Sequence, residues 1–373
     1  MVRSAIVAAL TETSPEVAGR VWGSNPQVEL TQGMIAIGAA AHRGQPVEQP
    51  IFDKIYSAAS KAPLAAEPYL VRGVQAQLAG DAQLAERAFQ AAERRDPRSL
   101  PAHYFLADRY LREGDVRRGL TEFAALARLT PNGIASVTPY VASYARDPAR
   151  WPQLRALFRS EPVLQENALE ALAADAHNAE AVLALADSAH RNAHSQWLPV
   201  LLTALVREGE FGRARSIWAN VARVPSSGDL LFDAKFANDG PPPPFNWDLT
   251  SSTVGLAERQ SGGRLHVIFY GQEDGPLATQ LLVLPPGHYR LAMHVSGTGP
   301  EAKSLQWSLT CAGAQAPFTA SGLDALATRP LTFEVPAGCP AQRLSLTGSS
   351  TDMPQQVDVT VSRMALTRVA PNG

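Results

Sequence analysis

Residues 69–97 read YLVRGVQAQLAGDAQLAERAFQAAERRDP, and residues 103–131 read HYFLADRYLREGDVRRGLTEFAALARLTP. The two stretches begin 34 positions apart, and at that spacing Gly80-Asp81 recurs as Gly114-Asp115, Phe89 as Phe123, Ala91 as Ala125 and Pro97 as Pro131. Matches at one fixed spacing mark an internal repeat. A period of this length denotes an array of supersecondary units, none of which buries its apolar face alone.

The pattern resembles the tetratricopeptide repeat. That family asks for a large residue, a small one four positions on, a turn glycine, then Ala, an aromatic, Ala and Pro. Tyr69, Gly73, Gly80, Ala85, Phe89, Ala92 and Pro97 supply these, and His103, Ala107, Gly114, Phe123 and Pro131 supply most of them again, with Tyr110 at the first-helix aromatic. The second unit departs at Gly119, a small residue but a weaker helix former than the expected Ala, and at Leu126, whose size implies looser or shifted packing. The resemblance implies pairs of antiparallel helices: small residues let them approach, the aromatic fills the gap to the next unit, Gly permits the turn and Pro stops the second helix. Ile35, Ala39, Ala58 and Pro63 extend the register upstream over about 32–65, and Gly209, Ala214 and Trp218 extend it downstream over about 195–228. From 132 to 194 helix-forming runs such as Ala181–Ala186 persist without the markers. The apolar stretch Ala5–Leu10 is shorter than the roughly 7–15-residue core of a secretion signal, so the N-terminus reads as the first helix of the array. Such arrays present a groove for a peptide or partner protein; the alternatives are a spacer or a dimerisation surface.

The chain has 373 residues, enough for two or three domains. Its 45% hydrophobic and 18% charged composition is that of a globular protein. With 33 basic and 35 acidic residues and a formal net charge of −2, it lacks the basic stripe of a nucleic-acid binder. No apolar run approaches the roughly 18 residues that span a bilayer. The two cysteines, Cys311 and Cys339, form no CxxC or Cys/His cluster, which argues against structural zinc. They fit either a disulfide, formed in an oxidising compartment, or two buried thiols.

Composition changes after Pro225-Ser226-Ser227-Gly228, and the proline run Pro241–Pro244 favours extended polyproline II. Beyond it apolar and polar residues alternate: Tyr289, Leu291, Met293 and Val295; Leu305, Trp307, Leu309 and Cys311; Val357, Val359 and Val361. This period of two is the strand signal, and Arg264–Tyr270, Thr279–Leu284, Leu331–Val335, Gln342–Thr347 and Met364–Val369 are further strands. About eight short strands suggest a jelly-roll sandwich. The segment QLLVLPPGHYRL at 280–291 resembles the L-x-P-G-x-Y hairpin of galactose-binding-like jelly rolls and carbohydrate-binding modules. Pro244-Phe245-Asn246-Trp247 and the Val-x-Val strand at Asp358 fit that family's ends. The expected fold is thus multidomain α plus β: an N-terminal tetratricopeptide-like α-solenoid over 1–228 and a C-terminal antiparallel β-sandwich, a jelly roll, over 229–373.

No GxGxxG, P-loop, HExxH or GxSxG motif is present. His190 and His194 lie four apart on an expected helix, without the third ligand of a zinc site, and read as solvent-facing. Glu113 and Asp115 flank the repeat turn at Gly114, where solvation accounts for them. The expectation is therefore a non-enzymatic protein without cofactor. Sugar binding needs an aromatic platform and convergent polar groups. Trp307 alternates with core residues, whereas Arg290, His294, Gln306 and Ser308 fall on the opposite face and, with Trp247 and Tyr270, would line a polar groove or an ordinary solvated sheet. Structural calcium occurs in jelly rolls of this type, but Asp239, Asp274 and Asp358 sit in no ligand-rich loop.

This pairing of folds resembles bacterial exopolysaccharide or envelope accessory proteins. The array would dock a protein and the sandwich a polysaccharide, in the periplasm or outside the cell, anchored through a segment absent from this chain; the cytoplasm is the alternative location. A second reading is a structural adaptor whose sandwich binds no sugar. A third, the binding module of a hydrolase, requires a catalytic domain on another chain.

Overall fold

The computed structural model describes residues 2–129, 133–224, 229–297, 303–350 and 355–370. Pro131 and the Pro225–Gly228 segment lie outside them. The chain divides into two compact units, 1–164 and 165–373. The change from helix to strand falls where composition changes, after 228, but the second unit also takes in the helices that precede it.

The first unit is a helical repeat array. Its helices are α1 (Val2–Thr13), α2 (Pro15–Trp22), α3 (Pro26–His42), α4 (Gln49–Lys61), α5 (Glu67–Leu78), α6 (Ala82–Arg95), α7 (Leu100–Arg112), α8 (Val116–Leu129), α9 (Gly133–Ala145) and α10 (Trp151–Ser160). From α1 to α8 they pack as sequence-adjacent pairs. Proline opens α4, α5 and α7, where its missing N–H costs nothing. The repeated Gly-Asp turn has a mechanism in both halves. Gly80 and Gly114 hold φ near +80°, which a side chain would oppose. Asp81 and Asp115 cap the following helices, accepting from the Leu84 and Arg118 backbone N–H groups at 2.9 and 3.1 Å. Asp115 is thus a cap as well as a solvated acid.

Phe89 is 1% exposed and packs among Ala76, Ala85, Ala92, Ala102 and Leu106. It lies against Gly73, where an added Cβ would stand 2.5 Å from its ring. The Gly119 departure has a related cause: a Cβ there would stand 2.7 Å from the Leu111 side chain, which would have to shift to admit the expected Ala. Leu126 is buried. Upstream the register differs from expectation, because Ile35 is 53% exposed while Leu30, Met34 and Ile37 make the contacts with α4.

The second unit holds α11 (Pro162–Ala173, straddling the division), α12 (Ala179–Leu185), α13 (Trp197–Arg207) and α14 (Phe211–Val221), followed by ten strands among the described residues. His190 and His194 are not helical. They lie in the loop between α12 and α13, where Asp187, Asn192 and Ser195 side chains bind the local backbone and so compete with helix formation. Residues 241–246 form turns and bends rather than extended polyproline II.

The strands are β1 (Asp248–Leu249), β2 (Gly255–Gln260), β3 (Arg264–Phe269), β4 (Gly275–Leu282), β5 (Gly287–Ser296), β6 (Leu305–Cys311), β7 (Thr319–Gly322), β8 (Leu331–Val335), β9 (Gln342–Gly348) and β10 (Val357–Arg368), with the short helix α15 (Leu323–Leu326) after β7. They form two separate antiparallel sheets, ordered β1-β4-β9-β6-β7 and β2-β3-β10-β5-β8. One hydrophobic core serves both: Leu282, Trp307 and Leu346 from the first meet Phe269, Leu291 and Val359 from the second. The Pro285-Pro286-Gly287 segment carries the chain from the first sheet to the second. It is an inter-sheet corner, not the hairpin expected, because β4 and β5 never pair. Gly287 has φ +147° and the Tyr289 hydroxyl donates to the Pro285 carbonyl at 2.7 Å. The strands expected at Val357–Val361 and Met364–Val369 are one strand, β10, with a bulge between Ser362 and Ala365 where Arg363 takes φ +53°.

Cys311 and Cys339 form a disulfide across 28 residues, joining the end of β6 to the loop before β9. Beside it the fully buried Gln342 accepts from the Leu284 N–H at 3.0 Å and donates to the Cys339 carbonyl at 2.9 Å, tying the inter-sheet corner to that loop.

The same substitution should act with opposite sign at two helical glycines. Gly73→Ala forces a methyl into the Phe89 ring and should destabilise by about 1–3 kcal/mol. Gly38→Ala in α3 meets nothing within 4 Å and should gain up to about 1 kcal/mol. Denaturant titration followed by circular dichroism measures both, and equal shifts would contradict the packing described.

Candidate interaction surface

The residues expected to line a sugar groove do not converge. Trp247 is 3% exposed and belongs to the core: its ring packs on Phe236 and Trp307, and its indole N–H donates to the Asp233 carbonyl at 3.0 Å. It offers no platform to solvent. Arg290 and His294 are exposed on β5 of the second sheet, and Gln306 is exposed on β6 of the first. Since the two sheets share one core, these outward faces point apart. Tyr270, 38% exposed at the end of β3, is separated from β5 by β10. Trp307 is fully buried, as alternation predicts. Asp358 faces His266, and Asp274 accepts from the Ser350 N–H and hydroxyl at 2.6 and 2.7 Å. With Asp239 in the segment before β1, the three acids are not brought together as calcium ligands.

A different surface is built on the helical array. In α7 the buried stripe is Ala102, His103, Leu106, Ala107 and Tyr110. Tyr104, Asp108 and Arg112 lie off that stripe at helical spacing and face outward. Tyr104 is 45% exposed, and Tyr140 of α9 is 48% exposed. Their rings meet edge to face at 6.4 Å, with hydroxyls 3.3 Å apart. Behind them Tyr140 stacks on Phe123 of α8 at 5.6 Å, and Phe105 stacks on Phe89 at 4.6 Å. The tyrosines, Asp108, Leu111, Arg112, Phe123 and Tyr144 enclose a cleft of about 230 Å³. Asp108 and Arg112 form an ion pair at its rim. The Tyr140 hydroxyl holds the Tyr104 phenol above its ordinary pKa, so Tyr104 is a neutral hydrogen-bonding group at physiological pH. An apolar floor with phenol and charged edges suits one apolar side chain of a partner and polar groups beside it. A second cleft of about 550 Å³ is lined by Tyr56, Arg72, Gln75 and Leu84. Tyr104 and Tyr140 were not among the sequence-predicted sites. The signal was an aromatic off the buried stripe of its helix.

Among the described residues, Glu93, His103 and Glu122 bring three ligand-type atoms within 4.8 Å of one another. His103 Nε2 lies 3.0 Å from the Pro97 carbonyl and so donates to it, while Nδ1 lies 2.6 Å from Glu122 Oε2. A cation would have to displace the proton of that second bond, and the contacts read as a buried ion pair joining α7 to α8. The bond to Glu122 raises the His103 pKa against the opposing effect of burial, and burial followed by the Glu122 charge raises that of Glu93. On the second sheet His266 is held between Glu258 at 3.2 Å and Asp358 at 2.9 Å. Burial lowers its pKa, but those two carboxylates raise it further, for a net upward shift.

No protein family matches the chain, and no curated protein sequence does. Several solved structures share partial similarity, among them these two. One is of accessory secretory protein 1, 2 and 3 in Streptococcus pneumoniae, 11% identical, covering 32% of this chain and 90% of that one with a TM-score of 0.25. The other is yeast Tom70, 15% identical, covering 57% of this chain and 45% of that one with a TM-score of 0.30.

A raised histidine pKa contributes stability that is complete below the unfolded value, near 6.5, and is lost as pH rises through the folded value. Glu93 acts in the same direction from its own lower range. The helical unit should therefore lose stability from about pH 6.5 upward, by no more than about 1.4 kcal/mol per pH unit for one proton. His103→Gln should flatten that slope. Thermal unfolding across this range checks it, and an unchanged slope in the variant would remove His103 as its source.

Proposed function

We propose that this chain is a non-catalytic scaffold without a cofactor, whose helical array docks a segment of a partner protein in the cleft between α7 and α9. The observation that carries this reading is the pair Tyr104 and Tyr140, two large aromatics nearly half exposed over an apolar floor. Exposed aromatics in a pocket are the residues that dominate binding energy at protein interfaces. Repeat arrays are built to offer such surfaces.

The sheets, which we read as a jelly-roll-type fold, take a structural role here. Trp247 favours this: the residue expected to face a sugar instead fixes the segment before β1 to the core. The separation of Tyr270, Arg290, His294 and Gln306 gives no support to polysaccharide capture, and with it goes the ground for a role in exopolysaccharide assembly. The Cys311–Cys339 disulfide supports residence in an oxidising compartment, periplasmic or extracellular. Chain recovered from its native host under alkylating conditions should carry no free thiol; alkylation of both cysteines would place it in a reducing compartment.

A photo-crosslinking amino acid at Asp108, inside the cleft rim, should capture a defined partner that the same group at Arg117, exposed on α8 outside the cleft, does not. Tyr140→Ala should weaken that capture about tenfold or more, the cost of truncating an aromatic anchor. Equal capture from both positions, or capture indifferent to Tyr140→Ala, would rule out the cleft as the docking site.

A further inference from the structure

Within the second unit, α14, residues 229–238 and the end of β10 enclose a cavity of about 790 Å³. Its lining includes Arg215, Phe232, Lys235 and the Met364–Thr367 segment. The β10 bulge between Ser362 and Ala365 takes in the start of that segment, and a bulge re-aims the side chains around it.

Arg215 is the anomaly in this cavity. Arg109, Arg118, Arg128, Arg213 and Arg259 each pair with a carboxylate. Arg215 is half-buried and has neither an ion pair nor a hydrogen bond among the described residues; its guanidinium stands 5.9 Å from the Phe245 ring centre. Burial holds its pKa below the ordinary arginine range. Taking a cation out of water without an anion is costly, and a carboxylate nearby would normally relieve it. Asp233 lines the same cavity but is fully engaged: it accepts from the Ala237 and Asn238 N–H groups at 2.7 and 3.1 Å and from Arg259 at 3.3 Å. Among the described residues that line the cavity, Arg215 and Lys235 are then opposed only by Asp229, which is exposed at the rim.

We propose that this cavity binds a small organic carboxylate with an apolar body, the carboxylate held by the Arg215 guanidinium and the body lying against Phe232 and the Met364–Thr367 wall. The planar guanidinium offers two parallel N–H donors that match a carboxylate. One unpaired arginine with one rim lysine against one rim acid balances a monoanion. The site is independent of the cleft on the helical array.

The test uses the full chain with 4-phenylbutyrate and its neutral counterpart 4-phenylbutanamide, titrated by calorimetry. The acid should bind at least about tenfold more tightly than the amide, a difference of about 1.4 kcal/mol. Arg215→Gln should bring the acid down to the amide's affinity with little change in the melting temperature of the unliganded chain, since no ion pair or hydrogen bond is lost and the Phe245 ring lies at the limit of a cation–π contact. Equal binding of acid and amide, no binding of either up to about 10 mM (a Kd weaker than about 3 kcal/mol of binding energy), or full acid affinity in the variant would each overturn the assignment. The acid-against-amide comparison on the unsubstituted chain decides even where the variant unfolds.

Discussion

Where most helices carry a side chain, α5 carries Gly73, and the ring of Phe89 occupies the space. That interlock fixes how closely α5 and α6 approach. It also sets the stacking of Phe89 on Phe105, and through Phe105 the placement of α7. Once the α7 stripe from Ala102 to Tyr110 is committed to the core, geometry leaves Tyr104, Asp108 and Arg112 outward. The exposed cleft is therefore a by-product of how the interior closes. One unit on, a glycine again allows close approach, but from the second helix: Gly119 of α8 lies against the Leu111 side chain of α7.

Much of this was legible in the sequence, because the repeat markers are packing requirements. Gly80 and Gly114 need positive φ, and Phe89, Phe123 and Trp218 are all buried. The marker at Ile35 failed because a single residue type says little without its neighbours: Met34 and Ile37 serve equally well, and the helix turned to bury them. In the sheets, period-two alternation placed the strands and put Trp307 inside. It could not see the β10 bulge, which shifts the register between Ser362 and Ala365 and lets one strand read as two. Nor could it show which sheet a strand joins, so the Pro-Gly corner resembled a hairpin.

The candidate binding residues were the least legible part. Trp247 stands outside any alternating run, so nothing local fixed its direction. Its burial depends on the Asp233 carbonyl, 14 residues earlier, accepting its indole N–H. Asn246 reinforces that placement, donating to the Asn238 and Pro241 carbonyls and accepting from Arg259. An aromatic beside a proline run looks like a sugar platform until those distant acceptors are known. Arg215 was equally invisible, since an arginine is distinguished by the absence of a partner only when the surroundings are in place.

The order of strands has a consequence for how the chain is made. The centre of each sheet is filled by a strand from late in the sequence: β9 lies between β4 and β6, and β10 between β3 and β5. As the polypeptide leaves the ribosome, the earlier strands emerge with their inner edges bare and stay so until residues 342–368 follow. Unpaired apolar edges are templates for pairing with other chains. The nascent C-terminal part thus passes through its most adhesive state just before β9 and β10 emerge, and a chain stalled short of β9 would be a sticky fragment with two open seams.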